Sequence, residues 1–472
     1  MSKWKRLFSN TAILGAGTFA SKVLVFLLMP LYTAVLSTEE FGTADLISQT
    51  AKLIIPLASI GICDGLFRFV LDAEEDERKS IFSTSLCVLT VGSIGMLGVI
   101  QILHLFKVFD GYILLIALYV CAANFHSACA NYLRAQNRTG LFAVQGIVNT
   151  VLTILLNILL LVVFPMGSIG YVLSVVLADT LVTVGLFFGC GLFRECSVKR
   201  ISWTHAKELL KFSIPYIPTT MMWLVTSASD RYIVTYYEGT AVNGLYSAAY
   251  KLPTLMSLIS GVFVDAWQFS SVKDATAEER SDFFGKVYCG YMGIMFMGGA
   301  CLIALSQPLT VLLLADSYFD SWTFVPILTV AMVFSALSAF FGSVYFCEKK
   351  SVMSMLTAMS GAVINVALNF LLIPKHGAMG AAVATMISYL ATFLIRAYDT
   401  GKYVKFRQYP LRVCVNLLLL LGMSVVMLTG VRYWQYLLLL ALGLVFAFNS
   451  REIVGACWDL LKKTFFKKNK KI

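Results

Sequence analysis

Four cations lie in stretches of chain otherwise apolar enough to cross a membrane: Lys22, Lys52, Arg231 and Lys251. A Lys or Arg at the centre of a span costs about 2.5–3.5 kcal/mol on insertion scales, so such a side chain faces a cavity or a partner. Several together make an anion site. A phosphate-bearing headgroup is the natural guest, and a hydrophobic cation would be repelled. Asp179 and Asp265, in the same kind of stretch, are the candidates for ion coupling, Asp179 mid-span and Asp265 near a cytoplasmic end where it can simply be solvated. Local pairing competes with the anion site. Asp45 stands within reach of Lys52 on one helix, Asp64 and Arg68 make an i,i+4 pair, and Asp230 adjoins Arg231 without sharing its helix face. Arg231 can also snorkel to the outer interface. His126, beside Asn124, reads as a histidine bonded to a neighbouring helix, with a proton relay as the alternative.

The elements that must position these groups follow from composition. The chain has 472 residues, 58% hydrophobic and only 13% charged. The charged share is about half that of soluble domains, so lipid must cover much of the surface. This excludes a soluble enzyme, a disordered scaffold and a nucleic-acid binder, despite a net charge of +11. A ruler of about 20 mainly apolar residues per span gives fourteen: 11–36, 42–66, 81–103, 111–133, 141–163, 169–191, 212–236, 243–269, 284–305, 322–346, 353–373, 378–398, 411–429 and 435–449. The last two are the weakest, because their leucine runs can shift or tilt.

Lys and Arg favour cytoplasmic loops. Of the 37, thirty fall at one set of span ends, three at the opposite set (Lys107, Lys375 and Arg432) and four inside spans. A wrong span count would scramble that asymmetry. It places both termini in the cytoplasm and leaves a basic tail, Lys462–Lys471, to lie on anionic headgroups. The first span lacks an A-x-A cleavage site and reads as retained.

Two stretches read alike. Tyr132-Leu-Arg-Ala-Gln-Asn-Arg is followed by Gly146, Asn149, Asn157 and Pro165-Met-Gly-Ser-Ile-Gly170. Tyr345-Phe-Cys-Glu-Lys-Lys is followed by Gly361, Asn365, Asn369 and Pro374-Lys-His-Gly-Ala-Met-Gly380. Both are entered from the same side, so the repeat is parallel, the arrangement in which substrate sites form between lobes near the midplane. Helices one, two, seven and eight are then equivalent positions, and their cations would meet across the interface. The expected architecture is an all-α polytopic membrane protein: an N-terminal lobe 1–209 of helices one to six, a C-terminal lobe 210–400 of helices seven to twelve, and 401–472 holding two further helices and the tail.

Nothing in the loops reads as catalytic. The longest, 192–211, is too short for a domain. Gly15-Ala-Gly-Thr-Phe-Ala20 fits a dinucleotide fingerprint without its strand and suits close helix packing instead. Asn137-Arg-Thr139 is a glycosylation sequon on the cytoplasmic side. No P-loop, HExxH, CxxC or Cys/His metal spacing occurs, and none of the eleven Cys falls in an outside loop. The expectation is no enzyme, no cofactor, no metal and no structural disulfide.

Asn10-Thr, Leu28-Met-Pro-Leu-Tyr32 and Leu36-Ser-Thr-Glu-Glu-Phe-Gly42 resemble the first hairpin of the Wzx-type polysaccharide and oligosaccharide flippases. These belong to the multidrug/oligosaccharidyl-lipid/polysaccharide (MOP) exporter superfamily. Ser229-Asp-Arg-Tyr-Ile-Val234 and Asn243-Gly-Leu-Tyr-Ser-Ala-Ala-Tyr-Lys-Leu252 resemble its seventh and eighth helices, and the likeness extends over essentially the whole chain. It implies a MATE-like fold and the flipping of an undecaprenyl-diphosphate-linked oligosaccharide across the bacterial cytoplasmic membrane by alternating access. Lys22, Lys52 and Lys251 occupy places comparable to the cations that cell-wall-precursor flippases use, while helices thirteen and fourteen would offer a lipid-side groove for the polyprenyl tail. The expected partners are the anionic lipid-linked oligosaccharide and the membrane, with a polysaccharide polymerase and glycosyltransferases. An ion-coupled drug or metabolite antiporter of the same superfamily is the alternative.

Overall fold

The computed structural model describes residues 26–105, 111–136, 138–270, 277–348 and 350–450, and every regular element among them is helical. The chain forms two compact units, Met1–Gly244 and Leu245–Ile472.

In the first unit, α1 (Met29–Val35) opens on Pro30 and leads into α2 (Thr38–Ala58). Ser37 starts α2 through a capping box: its Oγ accepts from the Glu40 amide at 3.2 Å, and Glu40 Oε2 accepts from the Ser37 amide at 2.9 Å. Two orphan donors are thereby satisfied at once. The expected span 42–66 is not one rod. Pro56 removes an amide donor near the end of α2 and Gly61 turns left-handed (φ 65°), so α3 (Ile62–Asp72) restarts at a 53° bend.

Then come α4 (Glu75–Leu105), α5 (Ile113–Ala135), α6 (Thr139–Asn157) and α7 (Gly167–Val184), the last two closing in π-helical turns over 158–163 and 185–189. The stretch expected as a plain loop, 192–211, carries an amphipathic helix, α8 (Trp203–Ser213), capped by Ser202 and burying Leu209 against Ile62, Leu66 and Leu133. α9 (Ile217–Glu238) and the start of α10 (Thr240–Ser270) complete the unit. α2 and α10 cross at glycines: a Cβ on Gly42 would overlap the Thr240 carbonyl, and one on Gly244 would overlap that of Thr38. Asn243 Nδ2 donates to the Gly42 carbonyl at 3.1 Å across the same crossing.

The second unit continues with α11 (Ala277–Ala304), the short α12 (Ser306–Leu313), a 3-10 segment over 316–323, α13 (Val325–Cys347), α14 (Ser351–Thr400), α15 (Pro410–Thr429) and α16 (Trp434–Ser450). α13 is the most enclosed of the unit's described apolar helices, and α14 and α15 pack on it.

Among the described residues nine helices are long and apolar enough to span a bilayer, ten when the bent α2–α3 pair counts as one. The expected fourteen differ for identifiable reasons. α14 contains two expected spans, 353–373 and 378–398, joined at a kink. α9 carries Asp230 and Arg231 and is not among the nine, and α16 is shorter than the rest. The first expected span lies mostly outside the described residues.

The two hairpins of the repeat share one stereochemistry. Gly167 (φ 56°) turns the chain into α7, and Gly377 (φ 56°, ψ −147°) turns it within α14. Three residues on, a Cβ at Gly170 would lie 2.7 Å from the Leu160 carbonyl, and one at Gly380 2.6 Å from that of Leu372. Each hairpin thus closes on a carbonyl of its own incoming helix. That shared geometry supports the parallel repeat.

Candidate functional site

In the first unit the buried charges of α2 and α9 meet. Arg231 Nε lies 2.8 Å from Asp45 Oδ2, and Arg231 Nη1 lies 3.2 Å from Asp230 Oδ1, with the three side chains 6%, 8% and 0% exposed. Nη1 also donates to the Ser227 carbonyl one turn back. Two carboxylates therefore hold one guanidinium in a buried site. The neighbour geometry differs from the sequence expectation: Asp230 does reach Arg231, because the long guanidinium stem folds back along the helix. Asp45, expected within reach of Lys52, has Arg231 beside it. Thr50 and Tyr232, 2.8 Å apart, join the same two helices one turn further along.

Lys52 stands exposed on α2, about two turns beyond Asp45. Lys251, half-buried on α10, belongs to the second unit. Lys22 lies outside the described residues. Asp265 falls within α10, and its side chain lies outside the described part.

Asp179 is the centre of a second buried cluster in the first unit. Asn149 Nδ2 of α6 donates to its Oδ1 at 2.8 Å, and His126 Nδ1 of α5 stands 3.2 Å from the same oxygen. His126 Nε2 meets Gln145 Oε1 at 2.7 Å. The histidine thus bonds to neighbouring helices, on both ring nitrogens. In the second hairpin the corresponding Asn365 donates to Thr385 Oγ1 at 3.4 Å and to Ser388 Oγ at 3.3 Å, and accepts from Asn369 Nδ2 at 3.0 Å.

Two cations that sequence reasoning placed at cytoplasmic ends are interior residues of the second unit. Arg396, 2% exposed, donates to Thr357 Oγ1 and to the carbonyls of Ser338 and Ser354. Arg412, 8% exposed, donates to Asn449 Oδ1 at 3.2 Å and contacts Cys289 Sγ, while Asn416 and Asn449 bond each other through both amides. This ties α15 and α16 to α11. The apolar runs around both arginines gave the only sequence signal. Toward the other end of α16 from this tie, an apolar cleft of about 1030 Å³ opens between α11, α12 and α16, lined by Leu305, Val311, Leu312, Trp434, Leu438 and Leu439.

A duplicated, many-spanning helical bundle with charges buried inside each unit defines a polytopic membrane protein of transporter architecture. The family model described as polysaccharide biosynthesis protein matches residues 7–269, more than half of the chain, and the chain belongs to that family. No curated protein sequence matches it significantly. Among solved structures it is similar to the Lipid II flippase MurJ in an inward closed conformation, at 14% identity and a TM-score of 0.68, covering 96% of this chain and 100% of that one. It is also similar to a multidrug resistance MATE family transporter of the MOP superfamily, inward-facing (12% identity, TM-score 0.67, 81% and 95% covered) and outward-facing (12%, 0.58, 84% and 95%). The fold is therefore that of the MOP superfamily, as the sequence resemblance implied.

Proposed function

We propose that the protein flips a polyprenyl-diphosphate-linked oligosaccharide from the cytoplasmic to the outer leaflet of a bacterial cytoplasmic membrane, for cell-surface polysaccharide biosynthesis. The observation that carries this reading is membership of the polysaccharide biosynthesis family on a fold shared with a lipid-linked precursor flippase over nearly the whole chain. Two six-helix lobes, 1–209 and 210–400, alternate access. The diphosphate docks on Lys22, Lys52 and Lys251, the charge type a dianionic headgroup requires. Arg231 joins that set only when it leaves Asp45, since both its carboxylates now neutralise it. The polyprenyl tail lies along the apolar cleft beside α16, whose lining offers no charge to repel it. Asp179 and Asp265 remain the candidates for ion coupling, with both termini cytoplasmic.

Sidedness-specific labelling of the lipid-linked oligosaccharide in cells depleted of the protein tests the reading. Accumulation on the cytoplasmic face, reversed by wild type but not by Lys22→Glu or Lys251→Glu proteins that still insert, is expected. Full activity of both variants would remove the cation site.

The fold shared with multidrug transporters favours one second reading, an ion-coupled drug or metabolite antiporter. It predicts normal outward display of the oligosaccharide, altered drug tolerance, and sensitivity to Asp179→Asn rather than to the lysine changes.

A further inference from the structure

α2 stops at the Ile60–Gly61 break, and the 53° bend carries α3 out of its line. Beside the end of α2 a second apolar cleft, of about 730 Å³, opens against α4 and the start of α8. Thr84, Cys87, Val88, Val91 and Gly95 follow one another at three and four residues or less, so one stripe of α4 forms its wall. A Cβ on Gly92 would overlap the Ala58 carbonyl, so α2 and α4 touch there, whereas nothing lies within 4 Å of one on Gly95. The Ser202 amide donates to Thr84 Oγ1 at 3.0 Å and sets the start of α8 at the Thr84 end of the stripe. Trp203, Ala206 and Leu210 complete the lining from that helix.

Dimensions and charge identify the guest. Thr84 to Met96 is about 18 Å along α4, close to the depth of one leaflet of a hydrocarbon core about 30 Å thick. The Lys and Arg asymmetry puts the start of α4 in the cytoplasm, so that leaflet is the cytoplasmic one. The volume suits acyl chains, and an undecaprenyl tail overfills it. Trp203 is 80% exposed, the setting of a tryptophan at headgroup level. At 3.6 residues per turn Trp203, Lys207 and Lys211 form one line along α8, with Ala206 and Leu210 on its cleft side and Glu208 on the other. Two exposed ammonium groups thus border the mouth. The cations at the start of α4 have acids beside them, Lys79 with Glu75 at 2.6 Å and Arg200 of the connection with Asp76 at 3.9 Å. A phosphate head joined to hydrocarbon chains matches both parts, and a cationic amphiphile would be repelled by the lysines. Lys52, two residues before Ile54 of the lining, lies on the opposite side of α2 and does not share the cleft.

We propose that this cleft binds an anionic diacyl phospholipid of the cytoplasmic leaflet, with its acyl chains against α4 and its phosphate on Lys207 and Lys211. Bound there, the lipid braces α8, the segment that carries the chain from α7 to α9. The site rests on the membrane orientation and is independent of the flipping reading.

The test places full-length protein in phosphatidylcholine vesicles and adds phosphatidylglycerol brominated in its acyl chains, or brominated phosphatidylcholine at the same mole fraction. Bromine quenches indole fluorescence on contact. The chain has seven tryptophans, and the Trp203 signal is the part lost in Trp203→Phe. Phosphatidylglycerol should quench it with at least about fivefold higher relative affinity than phosphatidylcholine, the effect of a single Lys near an anionic surface. Lys207→Gln with Lys211→Gln, both exposed, should abolish that preference. Gly95→Leu, which fills the cleft from an open position, should do the same. Equal quenching by the two lipids leaves only ordinary boundary lipid and overturns the site. A preference that survives the lysine changes, or survives Gly95→Leu, places the lipid elsewhere and also overturns it. Undecaprenyl phosphate displacing phosphatidylglycerol at a lower mole fraction would replace the phospholipid with the carrier lipid. None of these signals measures flipping, so the leaflet experiment stands or falls apart from them.

Discussion

Arg231 and Asp45 form a buried ion pair that fastens α9 to α2, with Nε and Oδ2 2.8 Å apart and Asp230 supplying the second carboxylate. One guanidinium stands between two carboxylates. Its fixed hydrogen bonds, including that to the Ser227 carbonyl, offset desolvation only while every member is present.

Arg231→Met should therefore destabilise the protein by about 3–5 kcal/mol, the range for breaking a buried pair, because it leaves two buried carboxylates without their cation. Arg231→Met combined with Asp45→Asn and Asp230→Asn should recover part of that loss. Thermal unfolding of the purified full-length variants reads both values, and additive losses would mean that the three side chains are energetically independent.

The crossing of α2 and α10 leaves no room for a methyl group at Gly42 or Gly244. Both obstacles are backbone carbonyls, which cannot rotate away. Gly42→Ala and Gly244→Ala should each cost about 1–3 kcal/mol, as overpacking does. Gly95→Ala, where nothing lies within 4 Å, should cost far less. Unfolding midpoints of the three variants compare them directly.

Gly377 adopts φ 56°, ψ −147°, a region open to glycine alone among ordinary residues. Gly377→Ala should cost about 1–3 kcal/mol and loosen the second hairpin. Faster hydrogen exchange at 372–384, with 160–172 unchanged, is the expected pattern.

Asn449 accepts from Arg412 and exchanges amide bonds with Asn416. Asn449→Leu strips both partners at once and should cost about 1–3 kcal/mol, the penalty for polar groups left buried and unsatisfied. Hydrogen exchange should rise first in α16. If it rises uniformly instead, the amide cluster is not what holds that helix.

Much of the fold was legible because a bilayer imposes a coarse ruler: each expected span from residue 42 onward coincides with helical chain. The break at Ile60–Gly61 was not, since Pro56 within an apolar run reads as tolerable and the positive φ of Ile60 leaves no trace in residue type. The amphipathic α8 escaped because a span ruler overlooks eleven-residue helices. Charge placement located Asp179 and Arg231 but not their partners. Asp45–Arg231 joins helices far apart in sequence, and no periodicity reports such a contact. The family motifs around Gly42 and Asn243 turn out to pack on each other, so what they record is a helix crossing.

The left-handed glycine hairpins bear on how the chain enters the membrane. Only Phe164–Met166 separate the π-helical end of one span from the start of α7, and the turn carries no Lys or Arg to hold back. So short a connector cannot wait outside the bilayer while its second helix is still being synthesised. The first hairpin is therefore expected to leave the translocon as one folded wedge, which makes that hairpin, not the single helix, the unit of insertion.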